Sequence, residues 1–136
     1  MDVIGRRATI SLLLGGVVLA GCGQGGSPGQ PDLPQSVPPG WTRKGYDKSP
    51  APAGLPEGVA PECWRADYSG PGTVQAWVCG YRAESSAFDA MQRAKSAPDV
   101  VRFQEGKYLV VIHWNGGSRE ENTALVRAIQ KALQRR

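Results

Sequence analysis

Glu62-Cys63-Trp64-Arg65-Ala66-Asp67-Tyr68-Ser69-Gly70-Pro71-Gly72-Thr73-Val74-Gln75-Ala76-Trp77-Val78-Cys79-Gly80-Tyr81 is the stretch whose reading decides the fold of this 136-residue chain. Two strand-like runs, 62–68 and 73–81, flank Ser69-Gly70-Pro71-Gly72, and glycine and proline at that density mark a turn, so a β-hairpin is predicted. Setting Cys63 opposite Cys79 fixes its register. Arg65 then faces Trp77 and Asp67 faces Gln75 on one side, while Trp64, Ala66 and Tyr68 meet Val78, Ala76 and Val74 on the other. A slip of one residue would send the two cysteines to opposite faces. The register that gathers the aromatics thus also permits a Cys63–Cys79 disulfide, to which the chain-entropy account assigns about 3 kcal/mol for a loop of this size.

Downstream, Glu84 to Ser96 is predicted as a helix, capped by Ser85 or Ser86, with Ala87, Phe88, Met91 and Ala94 along its core side and Pro98 as its stop. Val100 to Gln104 and Lys107 to Trp114 form a second predicted hairpin around Glu105-Gly106, with Phe103 opposite Tyr108 and Val101 opposite Val110. Its alternate face carries Arg102, Gln104, Leu109, Val111 and His113. Asn115-Gly116-Gly117 ends the strand, and Ser118-x-x-Glu121 is a capping box that opens a helix over about 119–134. Leu125, Ala128, Ile129, Ala132 and Leu133 make its apolar stripe. The order strand, strand, helix, strand, strand, helix predicts an α+β domain over 41–136: a four-stranded antiparallel sheet with two helices on one face, the apolar one. Trp41 to Pro61 is expected to cross this domain irregularly, pinned by Trp41, because Pro50, Pro52, Pro56 and Pro61 oppose a helix or a central strand.

Upstream, Arg6-Arg7 precedes the uncharged run from Ile10 to Ala20. As a helix that run is about 16 Å long, against a hydrocarbon core of about 30 Å, which makes it the apolar part of a signal peptide over 1–21 and not a membrane span. Leu19-Ala20-Gly21-Cys22 resembles the lipobox of bacterial lipoproteins at all four positions. The resemblance implies cleavage between Gly21 and Cys22, a thioether-linked diacylglycerol on Cys22 and a further acyl chain, such as palmitate, on the new amino group. Two or three acyl chains hold a bilayer stably where one does not. Gly23 in place of Asp is similar to the enterobacterial pattern for outer-membrane rather than inner-membrane sorting. Gly5-Arg6-Arg7-Ala8-Thr9-Ile10 also resembles a twin-arginine signal, departing from it at Gly5 and Thr9, so the export route stays open between the two pathways. The Pro- and Gly-rich residues 22–40 are expected to be the lipidated cysteine and a disordered tether reaching roughly 55 Å.

The formal charge is +4, and loss of 1–21 with Arg6, Arg7 and Asp2 leaves +3. Arg127, Lys131, Arg135 and Arg136 crowd the C-terminus, where they complement a helix dipole, and are not interleaved with planar side chains as a nucleic-acid interface would be. No nucleic-acid partner is expected. His113 is the single histidine, so no metal set assembles around it. No Gly-x-Ser-x-Gly elbow surrounds Ser69, Ser85 or Ser86, and the glycines at 23–29 and 115–117 lack the context of a phosphate loop. No catalytic residue, cofactor or metal is predicted. Cys63 and Cys79 read as a structural bridge in an oxidising envelope, with a redox-active pair as the rival reading. Against the rival, there is no Cys-x-x-Cys and no helix start beside either sulfur to lower a thiol pKa. Arg65 and Trp77, joined by Tyr81 on the uncovered face, form the predicted contact surface for an envelope partner.

Gly40-Trp41, Trp64-Arg65-Ala66-Asp67-Tyr68 with Gly70-Pro71-Gly72, and Tyr108-Leu109-Val110-Val111 resemble motifs of a family of small bacterial envelope domains of unknown function. These motifs are structural and bring no catalytic residues. The expected protein is a lipid-anchored, non-enzymatic binding or accessory module of the bacterial envelope; the alternative is a thiol-redox factor or other small enzyme of the envelope using Cys63 and Cys79.

Overall fold

The computed structural model describes residues 28–58 and 60–135. The predicted signal peptide, the Gly21–Cys22 cleavage bond, the lipidation site Cys22 and residues 23–27 of the expected tether lie outside the described residues. The elements are β1 (Ser36–Val37), β2 (Trp41–Ser49), β3 (Glu62–Ser69), β4 (Gly72–Gly80), α1 (Glu84–Arg93), β5 (Val100–Glu105), β6 (Tyr108–Gly116) and α2 (Arg119–Gln134). All strands join one antiparallel sheet in the order β1-β2-β3-β4-β6-β5. The deciding hairpin has the predicted register, with Cys63 opposite Cys79, Arg65 opposite Trp77 and Tyr68 opposite Val74.

The sheet has six strands, not the expected four. β2 replaces the irregular crossing segment, and a bulge between Arg43 and Gly45 explains why it was not legible. One extra residue inverts the period-2 alternation halfway along the strand, so Arg43, opposite Tyr68, and Tyr46, opposite Ala66, share a face although three positions separate them. The Arg43 guanidinium stacks over the Tyr46 ring at 5.1 Å. The prolines fall after the strand, in the loop to β3.

Residues 28–37 are likewise no disordered tether but a strap laid on the sheet, with Pro31, Leu33 and Val37 buried. Prolines remove backbone donors, so a proline-rich segment carries carbonyls that need outside partners. Three tyrosines supply them: the hydroxyls of Tyr108, Tyr46 and Tyr68 donate to the carbonyls of Gly29 (2.6 Å), Pro31 (2.5 Å) and Pro34 (2.5 Å). Arg43 Nη1 adds a bond to the Leu33 carbonyl at 2.8 Å. The strap turns into β1, passes the cis peptide Pro38–Pro39 and pairs with β2, Val37 opposite Trp41.

The two helices lie on opposite faces of the sheet, not together on one. Val74, Ala76 and Val78 of β4 share a core with Leu125, Ile129 and Leu133 of α2, Leu33 and Val37 of the strap, and Trp41. The intervening Cys79, with Cys63 and Leu109, packs with Ala87 and Ala90 of α1. Alternation along β4 therefore assigns each helix its own side. The reason is chemical: the face expected to be merely mixed holds two cysteines and Leu109 at one end, enough apolar surface for a short helix. α1 turns Ala87 and Ala90 inward and leaves Phe88 56% exposed, contrary to the expected core side; its N-cap is Ala83, without a side-chain cap from Ser85 or Ser86.

α2 starts as predicted, with Ser118 Oγ accepting from the Glu121 amide (3.1 Å) and Glu121 Oε1 accepting from the Ser118 amide (2.8 Å). The Trp41 indole donates to the Glu121 carbonyl at 2.9 Å and pins β2 to this first turn. In the second hairpin Phe103 faces Val110 and Glu105 faces Tyr108, a two-residue register difference that keeps every side chain on its predicted face. The loop is Gly106-Lys107, because Gly106 at φ +59° takes the first loop position, where a primed hairpin turn needs the left-handed region.

Candidate functional site

On the α1 side of the sheet, cross-strand partners form three rows. The first is Cys63, Cys79, Leu109 and Gln104; the second is Arg65, Trp77, Val111 and Arg102; the third is Asp67, Gln75, His113 and Val100. α1 sits over the first row, and Gln104 Nε2 ties the helix start down by donating to the Glu84 carbonyl at 3.1 Å. Cys63 and Cys79 stand at disulfide distance, S–S 2.16 Å, 2% and 0% exposed. The second and third rows are left partly open.

That opening is a pocket of about 260 Å³. Trp77, Val111 and His113 form its floor with Val100 and Arg102 beside them. One wall is Pro52 to Leu55, from the loop between β2 and β3, and the other is Lys95 to Ala97, from the loop between α1 and β5. A backbone bond joins the walls, the Lys95 amide donating to the Gly54 carbonyl at 3.0 Å. Arg102 Nη1 donates to the Lys95 carbonyl and fixes the second wall to the sheet. Arg102 Nε is buried and has no hydrogen-bond partner among the described residues. Three basic side chains, Lys95, Arg102 and His113, line the pocket, and no carboxylate does.

The predicted contact surface is only half assembled. Arg65 and Trp77 are directly opposed on this face, as expected. Arg65 turns to Asp67 (Nε–Oδ1 3.3 Å), while the Arg43 guanidinium stacks over Tyr46. Tyr81 does not join the surface; it is buried with Ala87 and Ala90 under α1, where loss of water pushes its phenol pKa above the ordinary value. Leu55, Arg102, Val111 and His113 belong to the site without having been assigned to it. Val111, Arg102 and His113 were legible as one face of the second hairpin, but only the pairing of β4 with β6 sets that face beside Trp77.

Among the described residues no group of three or more His, Cys, Asp or Glu side chains is placed to hold a metal ion, and no helix is long and apolar enough to cross a membrane. Neither a family model, nor a curated protein, nor a solved structure matches the chain.

Proposed function

We propose that the chain is a lipid-anchored protein of the bacterial envelope that acts as a non-enzymatic binding module, with the Trp77 pocket as its contact site. The anchor rests on Leu19-Ala20-Gly21-Cys22 and the short apolar run before it. The binding role rests on one observation: α1 covers the cysteine row and stops, leaving Trp77 half-buried over an apolar concavity whose walls are tied to each other and to the sheet. Concave, largely apolar, pre-formed sites with a few placed polar groups are what ligand binding uses. The alternative, a thiol-redox factor, is disfavoured by the burial of both sulfurs under α1, since a reactive thiolate needs access.

Mass spectrometry of the protein from its native envelope tests both halves. Under denaturing conditions the N-terminal peptide should begin at a Cys22 bearing acyl chains; an unmodified peptide removes the anchor. Under non-denaturing conditions the folded protein should carry a small-molecule adduct that Trp77→Ala loses while staying folded. An adduct unaffected by Trp77→Ala removes this pocket from the reading.

A further inference from the structure

We infer that the Trp77 pocket takes a single-chain amphiphile with a carboxylate head, a fatty-acid-like monoanion whose chain lies on Trp77 and Val111 and whose head meets Arg102. This deepens the binding-module reading and rests on it. The pocket volume, about 260 Å³, is near the small end of ligand sites, which fits one short chain and not a folded partner segment. One wall, Pro52 to Leu55, is apolar, and Ala97 continues the apolar lining on the other, where Lys95 and Ser96 supply polar groups. The charged side chains at its margin have one sign, Lys95 and Arg102 without a facing carboxylate, so the charge of the site is complementary to an anion.

Arg102 sharpens the assignment. Arg102 Nε is buried without a hydrogen-bond partner among the described residues, so the fold alone satisfies this guanidinium only in part. The guanidinium is permanently charged, and with Nε buried the donors it can offer a carboxylate head are those of its Nη atoms. Nη1 is tied to the Lys95 carbonyl, so the guanidinium is held in place before a ligand arrives. Asp67, in the adjoining row, is engaged with Arg65 on the other side of Trp77 and is not among the residues that line the pocket.

The test uses the full chain carrying Cys22→Ser, which removes the acyl acceptor, and three probes of equal chain length: octanoate, 1-octanol and octyltrimethylammonium. Binding is read by NMR shifts of the Trp77 indole, assigned with Trp77→Phe. Octanoate should bind at least tenfold more tightly than octanol, and octyltrimethylammonium more weakly than either. Arg102→Gln should cost octanoate about tenfold and leave octanol unchanged, while Arg102→Lys recovers part of the loss. The head-group series on the unaltered pocket decides the matter even where Arg102→Gln unfolds. Equal affinity for octanoate and octanol, or preference for the cation, overturns the carboxylate assignment and leaves the pocket as a binding site. Failure of all three probes to shift Trp77 overturns the pocket itself.

Discussion

The Tyr108 hydroxyl, at the start of β6, donates to the Gly29 carbonyl at 2.6 Å, a bond that spans 79 positions of the chain and seats the first part of the strap at the sheet end where β6 begins. Tyr46 and Tyr68 repeat the contact at Pro31 and Pro34. Each hydroxyl replaces a backbone donor that a proline-rich segment lacks. Tyr108→Phe and Tyr68→Phe should each lower unfolding free energy by about 1 kcal/mol, with the loss reported first by faster amide exchange at Leu33 and Val37. An unchanged exchange rate would mean that water serves these carbonyls equally well.

Tyr68 gives a pH signature. Burial pushes its phenol up to about 12, opposed more weakly by the nearby Arg43 charge. An unfolded tyrosine ionises near 10, so between about 10 and 12 the unfolded chain releases a proton that the folded one keeps. Stability from this group is full below pH 10 and lost as pH rises toward 12, on the order of 2–3 kcal/mol across the window. Denaturant midpoints followed from pH 9 to 11.5 should fall, and fall less steeply in Tyr68→Phe; parallel slopes would refute the assignment.

The paired substitution Cys63→Ala with Cys79→Ala should cost about 3 kcal/mol, since the bond closes a 16-residue separation. If binding at the Trp77 pocket survives in the still-folded variant below its melting temperature, the bridge is structural. Loss of binding with an intact far-ultraviolet spectrum would couple the first cross-strand row to the second.

Gly70 has φ +155°, and a Cβ there would collide with the Gly40 carbonyl and crowd the Trp41 backbone. Gly40-Trp41 and Gly70-Pro71-Gly72, thirty residues apart in sequence, meet at this point. Gly70→Ala should therefore cost more than about 2 kcal/mol, combining backbone strain with a clash that no side-chain rotation relieves. Gly106→Ala is the control: φ is +59° but the space is open, so the cost should stay near 1–2 kcal/mol. Equal costs at the two sites would deny the close approach.

Local chemistry was legible where it is self-contained. The Cys63–Cys79 register follows from alternation within twenty residues, and the start of α2 follows from Ser118 and Glu121 alone. The failures have a common cause in distance. β2 is hidden by a bulge whose meaning appears only against β3, and the strap reads as linker because its hydrogen-bond donors are tyrosines elsewhere in the chain. For α1, the bulk of Phe88 outweighed two alanines in the sequence, whereas the tight space over the cysteine row admits alanine and excludes phenylalanine. At the site, Trp77 was identified from its own hairpin; its neighbours across β6 needed a pairing that skips α1 and β5.

The docked strap also shortens the leash. With lipid on Cys22, residues 23–27 alone separate the anchor from Pro28, a contour of at most about 20 Å in place of the roughly 55 Å of an eighteen-residue spacer. Pro28, the first described residue, abuts Gly80 at the sheet end where β4 finishes and β6 begins. On the proposed reading the domain rides low over the headgroups with that end turned toward them, a moored float and not a buoy on a long line.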